Sequence, residues 1–130
     1  MSEPSKRDIT ILIVEDHPAT LAEVQRLVSE AFPACRTLTA GSAERALDLC
    51  MDHPAPHVVV MDIGLPEMDG IEATRRIRSA VPHMRVVMHS NHDLPIYRDG
   101  AAVVGADAFV SKRKTVSELM PAIARLLSGL

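Results

Sequence analysis

Apolar runs of strand length recur along this chain at Ile9–Val14, about Arg36–Thr39, Val58–Met61, Arg85–Met88 and Ala108–Val110, and a stretch of helical length follows each. That alternation predicts βα units wound around a parallel sheet. Between the runs the apolar period lengthens to three and four. Pro18 to Ala31 places Leu21, Val24, Leu27, Val28 and Ala31 on one face of a helix. Ala43 to Met51 brings Ala46, Leu47 and Cys50 to one side, with Ser42 placed to cap it. Gly70 to Ala80 sets Ile71, Thr74 and Ile77 against Arg75, Arg76 and Arg78, and Pro82 blocks its continuation.

The fourth helix, Leu94 to Val104, carries Gly100 inside it, which costs roughly 1 kcal/mol against alanine. Mobility is expected there. The fifth is expected from about Val116 to Ser128. Thr115 and Glu118 have the spacing of a capping box, while Pro121 sits better in the first turn if Ser117 is the cap. The sequence leaves both starts open.

A length of 130 residues fits one domain with one core. Residues 1–7 are polar and charged, which reads as a flexible tail ahead of a domain spanning 8–130 and not as a secretory signal or membrane anchor. Hydrophobic residues make up 47% and aromatic ones 2%, so the core must be aliphatic. The net charge of −3, with both signs interspersed, offers no basic field and argues against direct nucleic-acid binding. Cys35 and Cys50 fit neither a metal motif nor a disulfide framework, which points to a reducing, cytoplasmic setting and to two buried apolar thiols.

In open α/β sheets ligands bind beyond the carboxyl ends of the strands. The residues there are Glu15 and Asp16, Asp62, Ser90 and Lys112. Crowded carboxylates raise one another's pKa unless a divalent cation neutralises them, and Mg²⁺ commonly joins one or two carboxylates to a phosphate oxygen. A carboxylate can attack phosphorus to give an aspartyl phosphate, with metal, hydroxyl and ammonium meeting the charge on the equatorial oxygens. Each residue also has a plain structural reading: helix-opening acids, a turn aspartate, a strand-end hydroxyl, a solvated lysine. Their joint occurrence favours the site. The pairs His53/His57 and His89/His92 lack supporting ligands, and His89 lies in or at the end of a strand, so surface or loop roles rather than metal binding are expected for these histidines. Gly100-Ala101 and Gly105-Ala106 have the wrong spacing for a dinucleotide loop.

Five separated positions carry a family resemblance: Glu15-Asp16, the segment Asp62-x-x-Leu65-Pro66-x-Met68-Asp69-Gly70, Ser90, and Lys112 in Gly105-Ala106-Asp107-Ala108-Phe109-Val110-Ser111-Lys112. Over residues 8 to 128 the chain resembles a response-regulator receiver domain of two-component signalling. Glu15-Asp16-His17-Pro18, Ser90-Asn91-His92-Asp93 and the non-proline after Lys112 resemble the NarL/FixJ type. The resemblance implies a flavodoxin-like (βα)5 fold, a doubly wound parallel sheet of order 2-1-3-4-5, the order for which a receiver is a known example.

It further implies that Asp62 accepts phosphate from the phosphohistidine of a sensor histidine kinase or phosphotransfer protein. Asp16, Asp62 and the Gly64 carbonyl would bind Mg²⁺, with Glu15 acting on the metal largely through water. Ser90 would bond a phosphoryl oxygen, Lys112 pair with phosphate, and Phe109 change rotamer. The surface of the fourth helix, fifth strand and fifth helix would then meet a partner or a second copy. Such a protein is a signalling module rather than an enzyme, and phosphatases of the haloacid-dehalogenase type would need an acid where Gly64 stands. NarL/FixJ receivers usually precede a DNA-binding domain, so a stand-alone receiver or one severed from such a domain is expected. A binding module that works without phosphorylation is the alternative.

Three departures from the family pattern stand out. Asn91 is larger than the usual residue after the hydroxyl, Gly64 and His92 occupy positions that often tune phosphate lifetime, and Arg113 replaces a proline. A mobile loop without the usual cause of a cis peptide is expected after Lys112.

Overall fold

The computed structural model describes residues 8–130, so the tail expected over 1–7 lies outside the described residues. Five parallel strands form one sheet: β1 (Thr10–Val14), β2 (Arg36–Ala40), β3 (Val58–Met61), β4 (Arg85–Ser90) and β5 (Ala108–Ser111), in the order β2-β1-β3-β4-β5. This is the doubly wound order expected. The registers Ile13↔Val60 and Val60↔Val87 align the carboxyl ends of the central strands, which brings the residues that follow them to one edge.

The helices are α1 (Pro18–Ala31), α2 (Ala43–Met51), α3 (Gly70–Ala80), α4 (Pro95–Val103) and α5 (Met120–Ser128). The sheet divides the expected single core into two aliphatic halves. On one side Leu12, Val59, Met61, Val86 and Met88 pack with Ala46, Cys50, Ala73 and Ile77. On the other Ile11, Ile13, Val60 and Val87 pack with Val24, Val28, Leu119, Ile123 and Leu126. Both faces of β1, β3 and β4 are buried, which is why these strands read as continuous apolar runs rather than alternating ones, while the edge strand β2 stays half-exposed. Cys50 is buried and its thiol is pushed up to about 12 by that burial, whereas Cys35 is only half-buried.

Three differences from expectation have local causes. β4 continues two residues past Met88, because His89 and Ser90 stay paired with Val110 and Ser111. The segment before α5 is a 3₁₀ turn (Lys112–Lys114) followed by a π-helical turn (Thr115–Leu119), so regular α-helix begins only at Met120. Pro121 has no N–H to give a carbonyl one turn back, and the chain meets that gap with a wide turn just before it. Neither Thr115 nor Ser117 caps the helix; their hydroxyls donate to the Lys112 and Lys114 carbonyls. As expected, Ser42 accepts from the Arg45 N–H to cap α2. Among the described residues the cis peptide is His53–Pro54, and the Lys112–Arg113 bond is trans.

Candidate functional site

Continuation of the sheet ladder fixes the acids. Beyond β1, the Glu15 N–H donates to the Ala40 carbonyl (3.0 Å), and beyond β3, the Asp62 N–H donates to the Val14 carbonyl (3.2 Å). Glu15 is 3% and Asp62 5% exposed, so two carboxylates are buried side by side. The loop after Asp62 is pinned as tightly. The Gly70 N–H donates to the Ile63 carbonyl (2.9 Å), and a Cβ on Gly70 would stand 1.9 Å from the Asp62 carbonyl oxygen. Only glycine lets α3 start this close. Asp69 caps α3 by accepting from the Glu72 N–H at 2.9 Å, and Glu67 takes the left-handed conformation (φ 64°) that turns the loop back.

Lys112 closes the site from the far end of the chain. Its ammonium donates to Glu15 Oε1 and to Asp62 Oδ2, the latter at 3.0 Å. Burial pushes the Asp62 carboxyl up, but the Lys112 and Ser90 side chains and the Gly64 N–H outweigh it and hold the group below its ordinary range. Burial likewise pushes the Lys112 ammonium down, and its bonds to Glu15 and Asp62 outweigh that and raise it. Asp62 is therefore ionised over the whole neutral range.

Asp16 faces the same corner. Its Oδ1 is buried and makes no hydrogen bond, with the His17 Nδ1 3.3 Å away, an acceptor of the kind a cation satisfies. Its chemistry and that of Glu15 and Asp62 fit a hard divalent ion.

Ser90 is fully buried, its Oγ accepting from the His92 N–H at 3.1 Å. The His92 ring lies over Gly64, where a Cβ would meet Nε2 at 2.7 Å, and packs on Tyr97 with centroids 5.0 Å apart. Asn91 is exposed. Phe109 is half-buried, with the Arg98 guanidinium carbon 4.5 Å above its ring centroid. The proposed site residues Glu15, Asp16, Asp62, Gly64, Ser90 and Lys112 thus lie at the carboxyl ends of β1, β3, β4 and β5, whereas Phe109 lies within β5, opposite Met88.

His89 is a correction. It lies in β4, as its position in the sequence implied, but it is buried rather than at the surface, and its Nε2 lies 2.7 Å from Thr115 Oγ1. Burial first, and the Lys112 charge second, push its pKa down to about 4, with Asp62 opposing. The sequence also gave no role to Asp93, whose Oδ2 accepts from Ser111 Oγ (2.7 Å) and from the Arg113 guanidinium (2.8 Å). Ser111 in turn accepts from the Arg113 N–H, so the segment after Lys112 is tied to the loop before α4. Only the adjacency of β4 and β5 brings these residues together, and no spacing in the sequence signals it.

Comparison with known proteins agrees with this architecture. The family described as response regulator receiver domain matches residues 11–124. The transcriptional activator protein ExaE of Pseudomonas putida is 35% identical over 92% of this chain and 55% of its own length. The probable transcriptional regulatory protein NarL of Mycobacterium tuberculosis is 30% identical over 99% of this chain and 59% of its own. The chain spans a little over half the length of these curated relatives. Among solved structures, a LuxR-family two-component response regulator from Aurantimonas sp. SI85-9A1 superposes with a TM-score of 0.85 at 34% identity, covering 92% of this chain and 85% of that one. A BeF3-activated DrrB receiver domain superposes at 0.81 with 27% identity, covering 92% and 97%.

Proposed function

This chain belongs to the response regulator receiver domain family of two-component systems, and from that membership we propose that Asp62 accepts a phosphoryl group from the phosphohistidine of a sensor histidine kinase or phosphotransfer protein. The observation that carries the reading is the buried, ionised Asp62 carboxylate bonded to Lys112. In the transfer a carboxylate oxygen of Asp62 forms the new P–O bond as the P–N bond breaks, and the imidazole nitrogen takes the electron pair. Asp16, Asp62 and the Gly64 carbonyl would hold Mg²⁺, with Glu15 acting on it from beside them. When bound, the ion supplies positive charge against the phosphoryl oxygens. Lys112, already beside Asp62, pairs with the incoming phosphate, and the Ser90 hydroxyl bonds one of its oxygens.

That use of Ser90 draws the β4 end toward Asp62 and opens room for Phe109 to turn inward. The ring leaves Arg98, and the surface of α4, β5 and α5 changes. On this reading the altered surface meets a partner or a second copy, acting in the cytoplasm and outside any membrane or direct DNA contact. Among the described residues no helix is long and apolar enough to cross a membrane. The chain promotes only its own phosphorylation and dephosphorylation and is not otherwise an enzyme. Where the relatives are transcriptional regulators, output would pass through a further domain or partner. Ile96, Val103 and Val116, all at least 73% exposed, favour a second reading in which the same face binds its partner without phosphorylation.

Intact mass after incubation with Mg²⁺ and acetyl phosphate separates the two. One added phosphoryl group is expected in the wild type and none in Asp62→Asn. Stoichiometric labelling of the variant would sink the assignment, and a wild type that resists both the small donor and a cognate kinase would favour the phosphate-independent module.

A further inference from the structure

Lys112, Arg113 and Lys114 are three cations in a row on one 3₁₀ turn, and Lys112 is the one that turns to the buried acids. Arg113 pairs with Asp93 and Lys114 with Glu118. The Lys112 side chain is 13% exposed, against 79% for Arg113 and 65% for Lys114. A small rotation of that turn would carry the ammonium away from Asp62. The pairing of β4 with β5 ends at Ser90↔Ser111, one residue short of Lys112, so the ladder alone does not set the turn. Side chains from either side of Ser90 reach it instead.

Before Ser90 stands His89. The Thr115 hydroxyl gives its one proton to the Lys112 carbonyl (3.0 Å), so its oxygen accepts from the His89 Nε2–H at 2.7 Å. The buried ring is thereby linked through one hydroxyl to the Lys112 main chain, and as an uncharged donor it adds no repulsion to the ammonium. After Ser90 stands Asp93. Its Oδ2 accepts from Ser111 Oγ (2.7 Å) and from the Arg113 guanidinium (2.8 Å), and Ser111 Oγ accepts from the Arg113 N–H (3.3 Å), which bridges over Lys112. We propose that His89 and Asp93 are positioning residues for Lys112, clamping through Thr115 and Ser111 the turn that holds its ammonium against Asp62, ready for the phosphoryl group. The use of the clamp in phosphoryl transfer rests on reading Asp62 as the acceptor; the placement of the ammonium does not. Ser90 and Lys112 are then carried by one braced unit, although they come from different strands.

Two readouts test this. Exchange of the Lys112 ammonium protons with water, followed by ¹H–¹⁵N magnetic resonance of the metal-free protein and identified by its loss in Lys112→Met, reports the placement. The rate of Asp62 labelling by acetyl phosphate with Mg²⁺ reports its use. Thr115→Val removes the hydroxyl at nearly constant volume, and Asp93→Ala removes the other arm. Each single variant should speed the exchange by about fivefold, and the double variant should slow labelling by about tenfold or more. Thr115→Ser, which keeps the hydroxyl, should match the wild type in both, an outcome that a packing role of the threonine methyl would not give. Wild-type exchange in Thr115→Val and Asp93→Ala overturns the clamp, and these single variants decide it even if the double variant fails to fold. Faster exchange with unchanged labelling overturns its use in the transfer. A wild type that takes no phosphate sinks the reading of Asp62, while the exchange rates still decide whether His89 and Asp93 place Lys112.

Discussion

The two halves of the site are held by different kinds of bond. At the ends of β1 and β3 the acids hang on main-chain hydrogen bonds and on a backbone contact at Gly70 that admits no extra atom. β4 and β5 are laddered together as far as Ser90 and Ser111, but the segments beyond them are tied by side chains: Asp93 to Ser111 and Arg113, Thr115 to His89, and Arg98 over Phe109. The helices follow suit. α3 buries Gly70, Ala73, Thr74 and Ile77, but α4 buries only Ala101. A main-chain ladder yields only by breaking several bonds together, whereas side-chain links exchange one at a time, and moving parts are drawn from such low-stability elements. Asp62 is thus firmly held, and the part that would respond on the proposed reading is loosely fastened.

Gly70→Ala should strike the rigid half hardest. With backbone rather than a flexible side chain in the way, about 3 kcal/mol or more of stability should be lost, read by urea unfolding, and a wild-type midpoint would refute the close-packed account. In the other half, His89 gives a pH dependence of definite sign. Its folded pKa of about 4 lies below the ordinary 6.5, so between those values the unfolded chain binds a proton that the folded one does not. Stability is therefore full above pH 6.5, falls as the pH drops toward 4, and levels off below, a loss on the order of 3 kcal/mol at most. Hydrogen exchange should show residues 112–119 loosening before β1 and β3, and His89→Gln, which can keep the Thr115 bond, should remove the slope.

Lys112→Met leaves Glu15 and Asp62 buried without their shared counter-charge. We expect a loss of about 2–3 kcal/mol without divalent ions, most of it recovered in Mg²⁺; equal unfolding with and without the ion would show that the lysine matters only for packing. The smallest effect belongs to Arg98→Ala, worth less than about 1 kcal/mol in stability. Its mark should be on the Phe109 ring, whose resonance in a ¹⁹F-labelled protein should shift toward the inward population. No shift would mean that the guanidinium does not hold the ring.

What the sequence made legible follows the same division. The acid half depends on runs and neighbours: the apolar block ending in Asp62, the acids ending the first run, and Gly70 eight residues on. These are local signals, and the strands, the first three helices and the Ser42 cap could be read from them. The other half depends on contacts across β4 and β5, such as Asp93 with Ser111 and His89 with Thr115, 18 and 26 residues apart. Asp93, Arg98 and the buried state of His89 have no periodic signature, since their partners are chosen by strand order. The π-helical turn before α5 is similar. Pro121 signalled a disturbance, but how the chain would absorb it depended on where Leu119 and Ile123 find the core.

The ammonium of Lys112 meets Glu15 across 97 residues of chain. A ribosome makes the two acids of the first loop well before the base that answers them, so the nascent domain carries an uncompensated negative corner until β5 and Lys112 are made. Charge balance there arrives only when β5 closes the edge of the sheet, which makes the site one of the last features to form and ties its completion to that of the whole domain.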